Sequence, residues 1–215
     1  MDFDPTSHYK DIAIAERYDR ERFSSLPGRV FNTLEQSVIR RAFAQVPLTS
    51  TILDLPCGTG RLAEALLKQG HKVVGIDVSP AMLDVARRKL AGFGDRFQSR
   101  VADVRELARS ESKVYDAALC ARVLMHFPLD QQITFLRAVA QLTRGPVVFT
   151  QSLSTAYQRQ RRRIKRMLRN ANPAHHPITE AELASLLAGA GLREVRRFRV
   201  ARLISEEMVV IADHR

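Results

Sequence analysis

The sequence predicts an α/β chain: a doubly wound, Rossmann-like, mostly parallel seven-stranded sheet with an antiparallel C-terminal hairpin strand. Three observations carry this. Short apolar, β-branched runs alternate with helical patterns, the first run opens into a glycine turn that starts a helix, and the last two runs follow one another with no helix between them.

Residues 8–28 read as polar and irregular, after which Val30, Phe31, Leu34, Val38, Ile39, Ala42 and Phe43 recur at helical spacing as far as Val46. Thr51–Leu55 forms the first strand. It leads into Pro56-Cys57-Gly58-Thr59-Gly60 and a helix marked by Leu62, Ala63, Ala65, Leu66 and Leu67, which stops at Gly70. His71–Asp77 is the second strand, and Ser79-Pro80 supplies an N-cap and a first-turn proline for a helix through Leu90. Phe97–Asp103, Tyr115–Cys120 and Pro146–Gln151 are the next strands, with a helix over 130–143 before the last. Thr179 and Glu182 have capping-box spacing, with Ile178 and Leu183 placed as a hydrophobic staple, and open a helix that ends near Gly191. Val195–Val200 and Met208–Ile211, joined through Ser205-Glu206-Glu207, make the closing hairpin.

A chain of 215 residues, 45% hydrophobic and 27% charged, fits one globular domain over 1–215. No apolar run reaches the roughly 18–20 residues of a membrane span, and the start of the chain is too charged for a secretory signal, so a cytoplasmic protein is expected. Two cysteines, Cys57 and Cys120, exclude a disulfide framework or a cysteine-rich zinc site, and no metal site is expected. The net charge is +11, which suits acidic partners. The charge is localised: no Asp or Glu occurs between Asp130 and Glu180, whereas Arg159, Arg161, Arg162, Arg163, Lys165, Arg166 and Arg169 crowd one segment.

Glycines after a first strand let the backbone approach a ligand, and the following helix offers free N–H groups there. Gly58 and Gly60 suit that role. Asp77 ends the second strand seventeen residues beyond Gly60, where a carboxylate accepts hydrogen bonds from ribose hydroxyls. Asp103 ends the third strand at the same edge, where it suits either an adenine amino group or a helix cap. Gly58-Thr59-Gly60-Arg61-Leu62-Ala63 also satisfies the dinucleotide pattern G-x-G-x-x-A, but Asp54 and the distance from strand to first glycine argue against a nicotinamide enzyme. Arg61 reads as a solvated helix residue.

Taken together, Ile52-Leu53-Asp54-Leu55-Pro56-Cys57-Gly58-Thr59-Gly60, Val74-Gly75-Ile76-Asp77 with Ser79, Met82 and Leu83, and Ala102-Asp103-Val104 resemble the class I S-adenosylmethionine-dependent methyltransferases over residues 15–211. The resemblance implies S-adenosyl-L-methionine as cofactor. Asp54 and the Gly58–Gly60 turn would face its methionine end, with Pro56 and Cys57 in the same turn. Asp77 and Val78 would face the ribose, Met82 the adenine, Asp103 and Val104 the adenine edge, and Cys120 the end of the fourth strand under the methyl group. Tyr18 matches a lid aromatic, within an N-terminal helical lid over 1–48. Pro56 stands where many members have glycine, so the turn must reach the cofactor through Cys57–Gly60.

Catalytic candidates are His126, which titrates in the range of a general base, and Arg122, both in Cys120–Pro128 after the fourth strand. A packed, structural His126 is the competing reading. The basic insertion over 154–178, with Tyr157, Ile164, Met167 and Leu168 on one helical face, suits an acidic acceptor, an anionic membrane surface at the inner face, or a solvated cover over the cleft. The expected function is methyl transfer to a small-molecule or lipid-like acceptor, negatively charged or membrane-associated. The alternatives are an RNA methyltransferase, disfavoured by Cys120-Ala121-Arg122 where base-amino methylating relatives carry an Asn/Asp-Pro-Pro-aromatic run, and a non-catalytic cofactor-binding partner.

Overall fold

The computed structural model describes residues 12–154, 176–201 and 207–215, and within the first stretch not the side chains of residues 12–14, 18 and 20. Tyr18's side chain, the cationic segment from Tyr157 to Arg169 and the Ser205-Glu206 turn therefore lie outside the described residues.

Two helices, α1 (Ile12–Phe23) and α2 (Leu26–Ala42), precede the sheet. The chain then alternates through β1 (Thr51–Asp54), α3 (Arg61–Gln69), β2 (Lys72–Asp77), α4 (Pro80–Leu90), β3 (Phe97–Val101), α5 (Val104–Ser110), β4 (Ala117–Cys120), α6 (Leu129–Leu142) and β5 (Val147–Ser152). It ends in α7 (Glu180–Gly189), β6 (Leu192–Arg199) and β7 (Glu207–His214). The strands form one seven-stranded sheet in the order β3-β2-β1-β4-β5-β7-β6. The first five are parallel, and β7 inserts antiparallel between β5 and β6.

Both faces are covered, so the central strands read as continuous apolar runs. Within a run, successive side chains enter different cores. Ile52, Ala117, Leu119, Val148 and Val209 pack with α2, α3 and α4, through Ile39, Ala42, Leu66 and Leu83, and with Phe43 just beyond α2. Leu53, Ala118, Phe149 and Val210 pack with α5, α6 and α7, through Leu107, Leu136, Val139 and Leu186.

Local signals start and stop the helices. Ser79 Oγ accepts the Met82 N–H at 3.2 Å. Gly70, at φ 113°, ends α3 in a left-handed cap. The capping box closes in both directions: Thr179 Oγ1 accepts the Glu182 N–H at 3.2 Å, and Glu182 Oε2 accepts the Thr179 N–H at 2.7 Å. Ile178 and Leu183 lie in the same core beneath it.

Two elements depart from the sequence reading. Residues 12–23 are helical rather than irregular, because α1 buries Ala15 against Ala81 and Met82 of α4 and pairs Glu16 with Arg88 at 3.1 Å. Its stability comes from a partner far along the chain, which local periodicity does not register. The third strand stops at Val101, and Asp103 instead caps the short α5 by accepting the Arg105 N–H at 2.8 Å.

Candidate cofactor and active site

The connections reverse direction between β1 and β4, which opens a crevice at the carboxyl ends of the parallel strands. The residues after β1 are delivered into it under sheet-like control. The Leu55 N–H donates to the Leu119 carbonyl at 2.9 Å and the Cys57 N–H to the Ile76 carbonyl at 2.8 Å, so the turn is tied to both neighbouring strands. Beyond them the Gly58 N–H donates to Asp77 Oδ2 at 2.8 Å, while Asp77 Oδ1 accepts the Ser79 N–H at 2.9 Å. One carboxylate therefore holds the glycine turn and the start of the α4 cap together.

The two glycines do different work. Gly58 has φ +54°, and a Cβ there would meet nothing within 4 Å, so its backbone faces open space. Gly60 has φ +73°, and its Cβ would lie 2.7 Å from Leu90 Cδ1 and 3.1 Å from Ala86 Cβ, so it lets α3 pack on α4. A cleft of ≈190 Å³ lies against the turn. Asp54, Pro56, Cys57, Gly58, Asp77, Val78, Met82, Asp103, Val104, Arg122 and His126 of the sequence candidates line it.

Gly60 and Cys120 do not line it. Cys120 is fully buried in β4, its side chain turned into the core with Leu53 and Phe149, and Ala121 meets the cleft instead. Burial pushes the Cys120 thiol well up, which leaves it inert. Both cysteines are free.

Asp54 is almost completely buried, and burial raises its carboxyl to about 7, partly opposed by the Cys57 thiol and Arg61. Its Oδ2 has no hydrogen-bond partner among the described residues. A buried acceptor left unpaired at a cleft wall fits a ligand that brings a donor, such as an ammonium group. Asp103 is held by Arg105, whose Nη2 lies 2.6 Å from Oδ2 and whose Nε lies 3.0 Å from Oδ1. Its hydrogen bonds to Arg105 hold its carboxyl below the usual range. The cap reading and the cleft-edge position thus coincide at this residue.

Several lining residues were not read from the sequence. α1 lies on the turn, because Asp19 Oδ1 accepts the Thr59 hydroxyl at 2.8 Å and Asp19 Oδ2 takes Lys89 Nζ at 3.1 Å. Arg22 of α1 reaches the cleft wall. Phe127 and Phe135 stack at 5.8 Å between centroids and form an apolar wall beside His126. Arg61 is buried rather than solvated: its Nη2 lies 2.7 Å from Glu35 Oε2, its Nη1 donates to Asn32 Oδ1 at 2.6 Å, and its guanidinium sits 4.6 Å from the Phe23 ring centroid.

Arg122 follows β4 at φ +62°, a conformation side chains rarely adopt, with its N–H donating to Thr150 Oγ1 at 2.7 Å. Its Nη1 lies 3.2 Å from Glu35 Oε1 and 3.5 Å from Glu207 Oε2. Burial, with Glu35 beside it, raises Glu207 to about 7 against the pull of Arg122. Glu35 itself is lowered, since Arg61 and Arg122 outweigh its own burial. Glu207 therefore carries its proton more tightly folded than unfolded, and this contribution to stability is lost as pH rises from the ordinary carboxylate range through about 7. Thermal melts should accordingly show wild type and Glu207→Gln close together near pH 5, with wild type falling progressively below the variant towards pH 8. A pH-independent difference between them would contradict this.

Comparison with known proteins shows that the chain is similar to methyltransferases. A family model described as a methyltransferase domain matches residues 52–145. A ubiquinone biosynthesis O-methyltransferase of Xanthomonas axonopodis pv. citri (strain 306) is 32% identical over 162 residues, 68% of this chain and 64% of that protein. One from Alkalilimnicola ehrlichii is 38% identical over 101 residues, 46% of this chain and 40% of that protein. The chain spans less than two thirds of the length of these curated relatives. Among solved structures, magnesium protoporphyrin IX methyltransferase from Synechocystis PCC 6803 with bound SAH shares the fold with a TM-score of 0.79 at 20% identity, covering 98% of each chain. The 1,6-didemethyltoxoflavin-N1-methyltransferase of Burkholderia thailandensis does so at 0.63 and 23%, over 99% of this chain and 91% of that one.

Proposed function

This chain belongs to the class I S-adenosylmethionine-dependent methyltransferase family, and from that premise we propose that it transfers a methyl group from S-adenosylmethionine to a small-molecule acceptor. The observation that carries the proposal is the glycine turn clamped by Asp77 at the crevice between β1 and β4, with Asp54 Oδ2 buried and unpaired at its wall. When bound, the cofactor supplies an electrophilic methyl on a positively charged sulfur. The residues of the chain would orient it. Asp54 and the Gly58 backbone face the methionine end, Asp77 and Val78 the ribose, and Met82, Asp103 and Val104 the adenine.

Methyl transfer is an in-line displacement, so the protein's part is to align the acceptor atom, exclude water and take up a proton from a hydroxyl or amine. His126, half-buried on the cleft wall, is our candidate base, and the stacked Phe127–Phe135 pair is our candidate platform for an apolar or aromatic acceptor. Arg22 and Arg122 also line the cleft, and their charge suits an acceptor bearing negative charge. The names of the curated relatives support a lipid-like acceptor, and the +11 net charge suits attachment to an anionic membrane surface. In this reading α1 and α2 form the lid, with Asp19 fastening α1 to Thr59.

Isothermal calorimetry with S-adenosylmethionine and S-adenosylhomocysteine tests the cofactor assignment. Micromolar binding of both is expected, and no heat at millimolar ligand would end it. Incubation of the protein and labelled cofactor with separate pools of phenolic and carboxylic small molecules, extracted lipids and RNA then reads the acceptor class. Label is expected in the small-molecule or lipid pool; incorporation confined to RNA would replace the proposal.

A further inference from the structure

One buried carboxylate joins the two sides of the cleft. Glu35 belongs to α2, outside the stretch matched by the family model, and is completely inaccessible to solvent. Its Oε2 meets Arg61, at the start of α3 beside the glycine turn, and its Oε1 meets Arg122, in the loop after β4. Both arginines line the cleft. Each guanidinium also lies over an aromatic ring, Arg61 over Phe23 at 4.6 Å and Arg122 over Phe31 at 5.6 Å. The ring restrains the plane of the guanidinium and the carboxylate restrains its rotation within that plane.

Such a cluster is a poor way to gain stability alone, because taking charges out of water costs as much as their pairing returns, and apolar residues of the same volume do as well. What it does supply is two long side chains already ordered, whose rotamer entropy would otherwise be lost when a ligand binds. We propose that Glu35 is a positioning residue of the cleft, holding Arg61 on the cofactor wall and Arg122 on the acceptor wall in the orientations that receive ligand. This rests on the cofactor reading above. Glu35 touches no ligand in this arrangement and acts only through its two arginines.

The test is a double-mutant cycle on the whole protein, with S-adenosylhomocysteine as the probe and calorimetry and thermal melts as readouts. Glu35→Gln keeps the shape and removes the charge, and should weaken probe binding about tenfold, with Glu35→Asp recovering part of the loss. Arg61→Met should weaken it to a similar degree. The double variant Glu35→Gln/Arg61→Met, which removes one charge of each sign and so guards against a single variant that fails to fold, should match Arg61→Met within about twofold, because the carboxylate then has no arginine on that wall to position. A folded Glu35→Gln that binds the probe like wild type, or losses that multiply in the double variant, would overturn the proposal. Wild-type protein that does not bind the probe overturns the cofactor reading itself, a separate outcome.

Discussion

Gly60→Ala should lower the unfolding free energy by about 2–5 kcal/mol, from a left-handed backbone at a residue with a Cβ and an overpacked contact with α4. The conformation at φ +73° accounts for about 1–2 kcal/mol of that, and the intrusion on Leu90 Cδ1 and Ala86 for the rest. Gly58→Ala is the informative comparison. It shares the left-handed conformation but meets open space, so it should be destabilised by only about 1–2 kcal/mol. Its added methyl would instead project into the cleft that we propose holds the cofactor, so Gly58→Ala should lose more cofactor affinity than stability, and Gly60→Ala the reverse. Urea denaturation and calorimetry on the two variants separate the effects; equal stability losses would mean that the packing of Gly60 on α4 is not limiting.

Asp77→Ala should weaken cofactor binding by more than about 100-fold, since hydrogen bonds to a charged group are worth about 1.5–3 kcal/mol each and, in the function proposed above, this carboxylate serves both the turn and the ribose. The substitution also leaves the Gly58 and Ser79 N–H groups without their acceptor, so the turn loses the clamp that aims it. Asp77→Asn retains one acceptor oxygen and should fall between wild type and alanine. Asp103→Ala removes a helix cap worth about 1 kcal/mol, and because its carboxylate is engaged by Arg105 the affinity change should stay under about tenfold. Calorimetry with S-adenosylhomocysteine ranks the three. A loss at Asp103 equal to that at Asp77 would reassign the carboxylate that dominates cofactor binding.

The contrast between these aspartates shows how far the sequence reaches. The position of Asp77 at the end of β2 beside the turn was legible because strand, turn and acid follow one another within a single β1–α3–β2 unit, where local chemistry and position in the sheet agree. Asp103 carried two readings, cap and ligand contact, and only the path of the chain after Val101 showed that the cap is made. Cys120 was assigned to the site by its place at a strand end. Alternation along β4 instead turns its side chain into the core and presents Ala121, a one-residue difference in register that an apolar run does not reveal.

Arg61 is the clearest limit. An arginine in the first turn of an amphipathic helix is ordinarily solvated, and nothing near it in the chain says otherwise. Its burial is decided by Glu35 and Asn32 of α2 and Phe23 of α1, which reach it only when both N-terminal helices fold over the glycine turn. α1 was missed for the same reason, since its few apolar contacts are with α4 and its charges pair with Arg88 and Lys89.

The sequence by itself determined the doubly wound architecture, the glycine turn and the carboxylates at the strand ends, because periodicity, caps and turn chemistry act between residues close in the chain. The tertiary structure alone decided which of those carboxylates is left with an unpaired oxygen, which glycine faces the cleft, and that two arginines from separate elements meet on one buried glutamate. Those outcomes depend on burial and on partners brought together from distant parts of the chain, and the energy of a charge is set by what surrounds it rather than by its neighbours in sequence.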